Sequence, residues 1–336
     1  MRAVVTWIHE FISAYLTLFV IVCIAAGLLF APQIAPLSAA LPYMLFFMVF
    51  VMGTSCTLDS LKSVVAAPKG FLVTLVVVYL CMPVIGYGTG LLFYGSGSSY
   101  AVGHFLIAIT PVAITSTIWT AISNGNIALS LSVVTFATVL SGFYIPLQMS
   151  IFMGQAVSFD SRELMSNLVQ TIVIPVLLGL AARHTMGRSV ERFRPGLDLT
   201  TKVMMLVLLA INGAVVRPYM QSLDADLPWV LVAVVVHTVA NFFIAFVISR
   251  LLLGRNDRAL PTVVYAASMK NNAAGIVIAL NHFGPIVALP VVLNMIMQQF
   301  WAGVCYRVFR LFSRDSLVSR GSTAARGDAS DKRSDG

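Results

Sequence analysis

Charge is what this chain has least of. Asp, Glu, Lys and Arg make up 10% of its 336 residues, against about 25% in an ordinary soluble domain. A water-solvated globular surface is excluded. Cysteine is scarce as well. Cys23, Cys56, Cys81 and Cys305 all lie in apolar runs and share no metal-ligand spacing, so they read as small buried thiols. No nucleophile–base motif, metal-ligand cluster or phosphate loop is present, so neither enzymatic chemistry nor a cofactor is expected. Carboxylates are missing from the apolar runs. Glu10, Asp59, Asp160, Glu163, Glu191, Asp198, Asp224, Asp226 and Asp257 fall at segment ends or in loops, and Asp315, Asp328, Asp331 and Asp335 fall in the polar tail. The usual intramembrane Asp or Glu of a proton or cation relay is therefore absent.

What is present is apolar. Hydrophobic residues make up 59% and the mean hydropathy is +0.91, so the lipid bilayer is the expected surroundings. About 20 apolar residues span a bilayer as a helix. On that rule ten segments run near 15–34, 41–58, 70–94, 101–123, 128–152, 168–182, 199–220, 228–253, 260–283 and 286–309. The sixth is expected to begin earlier, near Glu163. The start, Trp7-Ile8-His9-Glu10-Phe11, leads into a first segment too long for the core of a cleavable signal. Residues 312–336 are rich in Ser, Gly, Arg and Asp, a composition that predicts a disordered tail. The fold class is an all-α polytopic membrane protein, with one ten-helix domain over 1–311.

All but three of the 21 Lys and Arg fall on one side of this ten-segment path. Arg162 and Arg217 lie on the other side and Lys270 lies inside a segment. The positive-inside rule then puts both termini in the cytoplasm, with the protein in the cell inner (plasma) membrane. The net charge of +8 is spread between spans, so no nucleic-acid partner is expected.

Lys270 sits near the middle of the ninth segment, in Ala266-Ala267-Ser268-Met269-Lys270-Asn271-Asn272-Ala273-Ala274-Gly275. A charge at that depth costs about 2.5–3.5 kcal/mol and needs a partner or a cavity. The flanking small residues suit a helix that breaks at mid-membrane. A matching interruption, Thr110-Pro111-Val112-Ala113-Ile114-Thr115-Ser116-Thr117, falls in the fourth segment. Each interrupted segment is the penultimate one of five. Halves of five segments have opposite orientation, so the pattern predicts two inverted repeats, about 12–153 and 163–311, around a site at the midplane. The bland alternative is a Pro111 kink and an Asn pair bonding between helices.

Several stretches together resemble the bile acid:sodium symporter family, within the wider bile acid/arsenite/riboflavin transporter superfamily. They are Gly53-Thr54-Ser55-Cys56-Thr57-Leu58 with Lys62 and Pro68-Lys69; Thr110-Pro111 through Ser116, with Asn124-Gly125-Asn126-Ile127-Ala128-Leu129-Ser130; His237, thirteen residues before Arg250-Leu251-Leu252; and Met269-Lys270-Asn271-Asn272-Ala273 with Asn281-His282-Phe283. The resemblance covers most of 10–310. It implies ten helices in two inverted repeats, a panel of helices 1, 2, 6 and 7 and a core of the rest, with helices 4 and 9 broken where they cross. It also implies transport of organic anions, often with two sodium ions.

The chain departs from that pattern where sodium binds. The family's fourth-helix motif reads roughly Cys-Pro-Gly-Gly-x-x-Ser-Asn; here Thr110, Val112, Ala113 and Thr117 stand in its place. The ninth-helix motif reads roughly Glu-x-Gly-x-Gln-Asn-Ser; here Ala266, Ser268, Lys270 and Asn272 replace four of its members. A sodium-supporting Gln aligns with Val78 and a ligand Thr with Val134, while Ser130 is kept.

The expectation is a secondary transporter of a small organic anion, with Lys270 as a tethered cation in place of sodium. Its ammonium is expected to donate to carbonyls freed by the breaks and to Thr115, Ser116 or Thr117. Coupling is then by proton or absent. A purely architectural Lys270 is the plainer alternative. The site is expected to draw on Lys270, Asn271, Asn272, Thr115, Ser116, Thr117, Ser130, Ser268, His237 and Asn212. His237 and Asn241 share a face of the eighth segment, where His237 either relays a proton or makes one interhelical hydrogen bond. Asn212 and Gly213 either line the substrate path or mark a close helix contact. Gln298 and Gln299 either cap the core pocket or bond to a neighbour. Met44, Met48 and Met52 form a packing stripe, and Gly86 and Gly90 share a face suited to close packing. Two other readings remain: a sodium-coupled organic anion or bile acid-type symporter, and a membrane sensor that binds ligand without moving it. An arsenite exporter would carry a cysteine at Thr110.

Overall fold

The computed structural model describes residues 16–55, 68–154, 159–187, 189–219, 227–254 and 257–331, with the backbone alone for 311–331. The start of the chain, Cys56, Thr57, Leu58, Asp59, Lys62, Arg188, Asp224, Asp226, Arg255 and the stretch 332–336 lie outside the described residues.

The chain runs through α1 (Leu16–Leu29), α2 (Ala31–Thr54), α3 (Pro68–Tyr94), α4 (Ser99–Ile109), α5 (Thr115–Ile122), α6 (Ile127–Met153), α7 (Ser161–Met186), α8 (Ser189–Val216), α9 (Leu227–Leu253), α10 (Ala259–Ser268), α11 (Asn272–Phe283) and α12 (Pro285–Asp331). Among the described residues there is no β-strand, only one isolated bridge. This follows from the composition: without water, a backbone polar group must be satisfied within its own segment, and a helix does that. Among the described residues, seven helices are long and apolar enough to cross a membrane: α2, α3, α6, α7, α8, α9 and the Pro285–Arg310 part of α12. The protein is a multi-pass membrane protein.

Several boundaries differ from the apolar windows. The expected segments 101–123 and 260–283 are each two shorter helices, α4 with α5 and α10 with α11. The seventh begins ten residues early, at Ser189, and runs through Glu191, Pro195 and Asp198. Hydropathy locates what lies in hydrocarbon, whereas helical hydrogen bonding continues until a capping group stops it. Asp160 is such a stop. Its Oδ1 accepts the N–H groups of Arg162 at 2.8 Å and Glu163 at 3.2 Å and opens α7. Those N–H groups, Glu163's first, hold its carboxyl below the usual carboxylate range. Ser98 and Asn126 cap α4 and α6 the same way. The helical backbone of α12 continues through 312–331, where composition predicts disorder; no proline follows Pro290 to stop it.

Glycines set the closest approaches. A Cβ on Gly27 would lie 2.0 Å from the Ala210 carbonyl oxygen, and one on Gly213 2.5 Å from that of Ile24, so α1 and α8 pack backbone to backbone. In α2 and α7, a Cβ added to Gly53 would collide with the Val176 carbonyl oxygen and one added to Gly179 with that of Phe50. Gly86 and Gly90 seat α3 on α4 against Ala108 and Ala101, while Gly88 faces open space. Gly213 thus makes a close helix contact. Pro83 in α3 removes the N–H that would bond the Tyr79 carbonyl. The Tyr144 hydroxyl of α6 donates to that carbonyl at 3.1 Å instead.

Candidate functional site

Two stretches leave helical geometry in the middle of the bundle, 110–114 between α4 and α5 and 269–271 between α10 and α11. They cross and pair. Val112 and Lys270 form an antiparallel bridge. The Ala113 N–H donates to Met269 O at 3.0 Å, and the Asn271 N–H to Pro111 O at 2.8 Å. Val112 and the proline before it explain the local geometry: Pro111 has no N–H to continue α4 and is free to offer its carbonyl. On the other edge of Lys270, the Gln298 carboxamide of α12 takes the Lys270 N–H on Oε1 at 3.0 Å and donates from Nε2 to the Lys270 carbonyl at 3.2 Å. A buried, unwound backbone is thus hydrogen-bonded on both sides, which is the condition for its existence at membrane depth.

The ammonium is the exception. Lys270 is 1% exposed, and its Nζ has no hydrogen-bond partner among the described residues. The expectation that it donates to carbonyls freed by the breaks and to the Thr115, Ser116 or Thr117 hydroxyls differs from what is found. The carbonyls of Pro111, Met269 and Lys270 are already taken by backbone N–H groups and by Gln298. The Ser116 and Ser268 hydroxyls and the Asn272 Nδ2 are buried at the same two breaks and are also without partners. The described carboxylates Asp160, Glu163, Glu191, Asp198 and Asp257 are not buried, so none pairs with the ammonium.

The other expected residues divide. Asn271 caps α11, its Oδ1 accepting the Ala274 N–H at 3.2 Å. The Asn272 Oδ1 accepts from Asn294 Nδ2 at 3.0 Å, and Asn294 Oδ1 accepts from the Thr238 hydroxyl of α9 at 2.9 Å. The Thr117 and Ser130 hydroxyls bond each other at 3.0 Å, joining α5 to α6. Thr115 opens α5 half-buried, so the N-terminal ends of α5 and α11 both lie at the crossing and bring partial positive charge to it. Asn212 is buried on α8, and its Nδ2 has no partner among the described residues. Among the described residues, His237 makes no interhelical hydrogen bond. It is fully buried beside His104, with ring centroids 5.4 Å apart. His282 stands at the end of α11, 3.5 Å from the Asn167 amide.

Asn294 escaped the sequence reading. Its signal was present: a lone amide in an apolar segment, one helical turn before Gln298 and on the same face. Gln298 bonds its neighbour's backbone, and Gln299 accepts from Trp119 Nε1 at 3.1 Å. Below the crossing, α5 and α10 are further joined by Ser123 to the Tyr265 hydroxyl at 2.9 Å and by the Asn126 N–H to Thr262 Oγ1 at 2.9 Å.

Residues 42–223 match the model of the Sodium Bile acid symporter family. The chain is 28% identical over 282 residues to an uncharacterized protein of Bacillus subtilis (strain 168), YbaS, covering 84% of this chain and 92% of that one. It is 28% identical over 265 residues to the probable sodium/metabolite cotransporter BASS1, chloroplastic, of Oryza sativa subsp. japonica, covering 79% of this chain and 64% of that protein, so it spans less than two thirds of that plant relative. It is 25% identical over 285 residues to the uncharacterized sodium-dependent transporter YocS of Bacillus subtilis (strain 168), covering 84% and 87%.

Proposed function

The chain belongs to the sodium bile acid symporter family and is a secondary membrane transporter, not an enzyme; on that premise we propose that it carries a small organic anion, with the Lys270 ammonium in the place of a coupling cation. The observation that carries this reading is the fully buried Nζ without a partner. An unpaired charge there is unfavourable by about 2.5–3.5 kcal/mol until an anion or water meets it. The neighbouring unpartnered groups are a carboxamide N–H and two hydroxyls. Such donors suit a carboxylate or sulfonate, to which charge-assisted hydrogen bonds are the strong ones.

The architecture that serves this function is ten spans in two inverted repeats, about 12–153 and 163–311, with α1, α2, α7 and α8 as a panel and the rest as a core. The reciprocal glycine contacts support it. The first span packs on the seventh and the second on the sixth, the two pairings that a two-fold axis in the membrane plane would exchange. The cytoplasmic end is that of Arg194, which donates to Ser55 Oγ at 2.7 Å, and of Arg258, whose carbonyl accepts from Asn126 N–H at 3.0 Å. Arg217 lies at the other end, where it caps the α1 carbonyls of Leu28 and Leu29. In this proposed orientation both termini lie on the cytoplasmic side of the plasma membrane.

A second reading, sodium coupling, is favoured by the names of the relatives. Sodium is a hard cation that needs several oxygen ligands. The Thr117–Ser130 hydroxyl pair offers two of them, with no buried carboxylate described nearby. The test is anion-evoked charge movement in proteoliposomes of purified protein, over a set of carboxylates and sulfonates, with and without sodium and across pH. Transport that persists without sodium and is lost in Lys270→Gln is expected. Strict sodium dependence overturns the tethered lysine in favour of the second reading. Unchanged transport in Lys270→Gln overturns it as well.

A further inference from the structure

We propose that His104 and His237 form a second site in this transporter, one that binds a single proton shared between the two imidazoles. The two side chains come from different helices, α4 and α9, and both are fully buried. All four ring nitrogens lack a hydrogen-bond partner among the described residues. Their ring centroids are 5.4 Å apart at an interplanar angle of 47°, a separation at which a nitrogen of each ring, with both turned toward one another, comes within hydrogen-bond distance.

Packing alone does not account for this pair. A neutral imidazole carries one N–H and one lone pair. Each stays unsatisfied here, a desolvation penalty that Phe or Leu in the same place would not carry. One added proton gives the pair three N–H groups and one lone pair, and satisfies that lone pair with a charge-assisted bond while one N–H on each ring stays unpaired. The ring that takes the proton becomes an imidazolium, and its N–H donates to the lone pair of the other ring. The proton comes from water and returns to water, with no other bond made or broken.

The groups that face the pair are few. From α3, Tyr94 stacks on His104 with centroids 5.6 Å apart. From the α10–α11 break comes Lys270. α12 offers the neutral amide of Asn294 beside Thr238, and its ionisable side chains begin only at Cys305. Tyr265 of α10 is engaged with Ser123, and His282 of α11 is held at the far end of that helix by Asn167. No described carboxylate is buried there.

The pair also has a physical path to the crossing. His104 rides on α4, which ends at the Thr110 break. His237 precedes Thr238, from which hydrogen bonds run to Asn294 and on to Asn272 at the start of α11. A proton on the pair repels the Lys270 ammonium, so an anion at Lys270 favours loading of the pair. That link rests on the reading of Lys270 above; the pair itself does not.

The test is nitrogen-15 NMR of the full chain, labelled at histidine and held in lipid nanodiscs without substrate, as pH is swept. His104 and His237 are assigned by their loss in His104→Asn and His237→Asn. The expected result is one proton taken up between the two rings, seen in the wild type as a strongly deshielded shared N–H. In each single variant the midpoint of the surviving ring moves by about one pH unit or more. The proposal is overturned if both rings remain one neutral tautomer throughout, or if each titrates with a midpoint unaffected by loss of the other. Should a variant fail to fold, the wild-type spectrum decides alone, since absence of the shared N–H at every pH overturns the pair. Lys270→Gln keeps both rings, so its spectrum retains the shared proton whether or not its anion transport survives.

Discussion

The carboxamide of Gln298 closes on both backbone groups of Lys270, accepting its N–H at 3.0 Å and donating to its carbonyl at 3.2 Å. A side chain thereby does the work of a neighbouring strand for one residue of buried, unwound chain. Gln298→Leu leaves the Lys270 N–H unsatisfied, while the Lys270 carbonyl keeps the Asn272 N–H at 2.9 Å; an unsatisfied buried group costs about 1–3 kcal/mol. Thermal unfolding of the purified protein in detergent is expected to fall accordingly, with Gln298→Glu, which keeps only the acceptor, also destabilised. A Gln298→Leu protein that unfolds at the wild-type temperature would show that the clamp carries no stability.

Asn294 links α9 and α12 to Asn272, but through side chains alone. Interhelical hydrogen bonds of that kind in membranes average about 0.6 kcal/mol. Asn294→Leu should therefore be milder than Gln298→Leu. A double-mutant cycle with Asn272→Ala is expected to return a coupling of about 0.5–1.5 kcal/mol. Additivity within error would mean the two amides do not interact.

Lys270→Met separates stability from transport. It removes an unpaired buried charge and keeps an unbranched apolar stem, so unfolding is expected at the wild-type temperature or above it. Transport of the anion is expected to fall by about tenfold or more, the equivalent of about 1.4 kcal/mol. Loss of folding together with loss of transport would mark Lys270 as architectural only.

The glycine contacts predict a contrast. Gly213→Leu places a side chain against the Ile24 carbonyl, and overpacking of this kind costs about 1–3 kcal/mol or more. Gly88 faces open space on α3, and Gly88→Ala is expected to be neutral or slightly stabilising, because alanine favours the helix by about 1 kcal/mol. The two unfolding temperatures, measured side by side, check this; equal shifts would contradict the packing described here.

The Asp160 cap sets a pH dependence at the start of α7. Its carboxyl is held below the ordinary range by the Glu163 and Arg162 N–H groups. The sign follows: a depressed folded value adds stability above the unfolded value, near about pH 4, and that stability is lost as pH falls through the folded value. Protection of the Arg162 and Glu163 amides, taken as the exchange rate relative to the intrinsic rate at each pH, should be present near neutral pH and fall in acid. Asp160→Ala should show little protection at every pH. Protection that is indifferent to pH in the wild type would remove the cap from the account.

How much of this was legible beforehand can be judged residue by residue. The apolar runs, the one-sided Lys and Arg and the buried position of Lys270 are properties of composition along the chain. Lipid leaves a backbone little choice but helix, so they determined the class of protein. The interruption at Pro111 and the one at Lys270 were visible for the same reason, since proline lacks an N–H and a charge does not sit in an ordinary apolar helix. The partners were not visible. α6 and α9 are apolar on nearly every face, so no periodic stripe tells which side meets which neighbour. Rotation about the helix axis is decided by packing. It was the glycine contacts and the helix crossings that turned Gln298 toward the Lys270 backbone, joined Asn294 to Asn272, set His104 beside His237, and left the Lys270 ammonium with no partner. Sequence determined that this chain crosses a membrane and where it breaks; tertiary structure alone decided what meets at the break, because in a chain so uniformly apolar only contact between helices gives a side chain its direction.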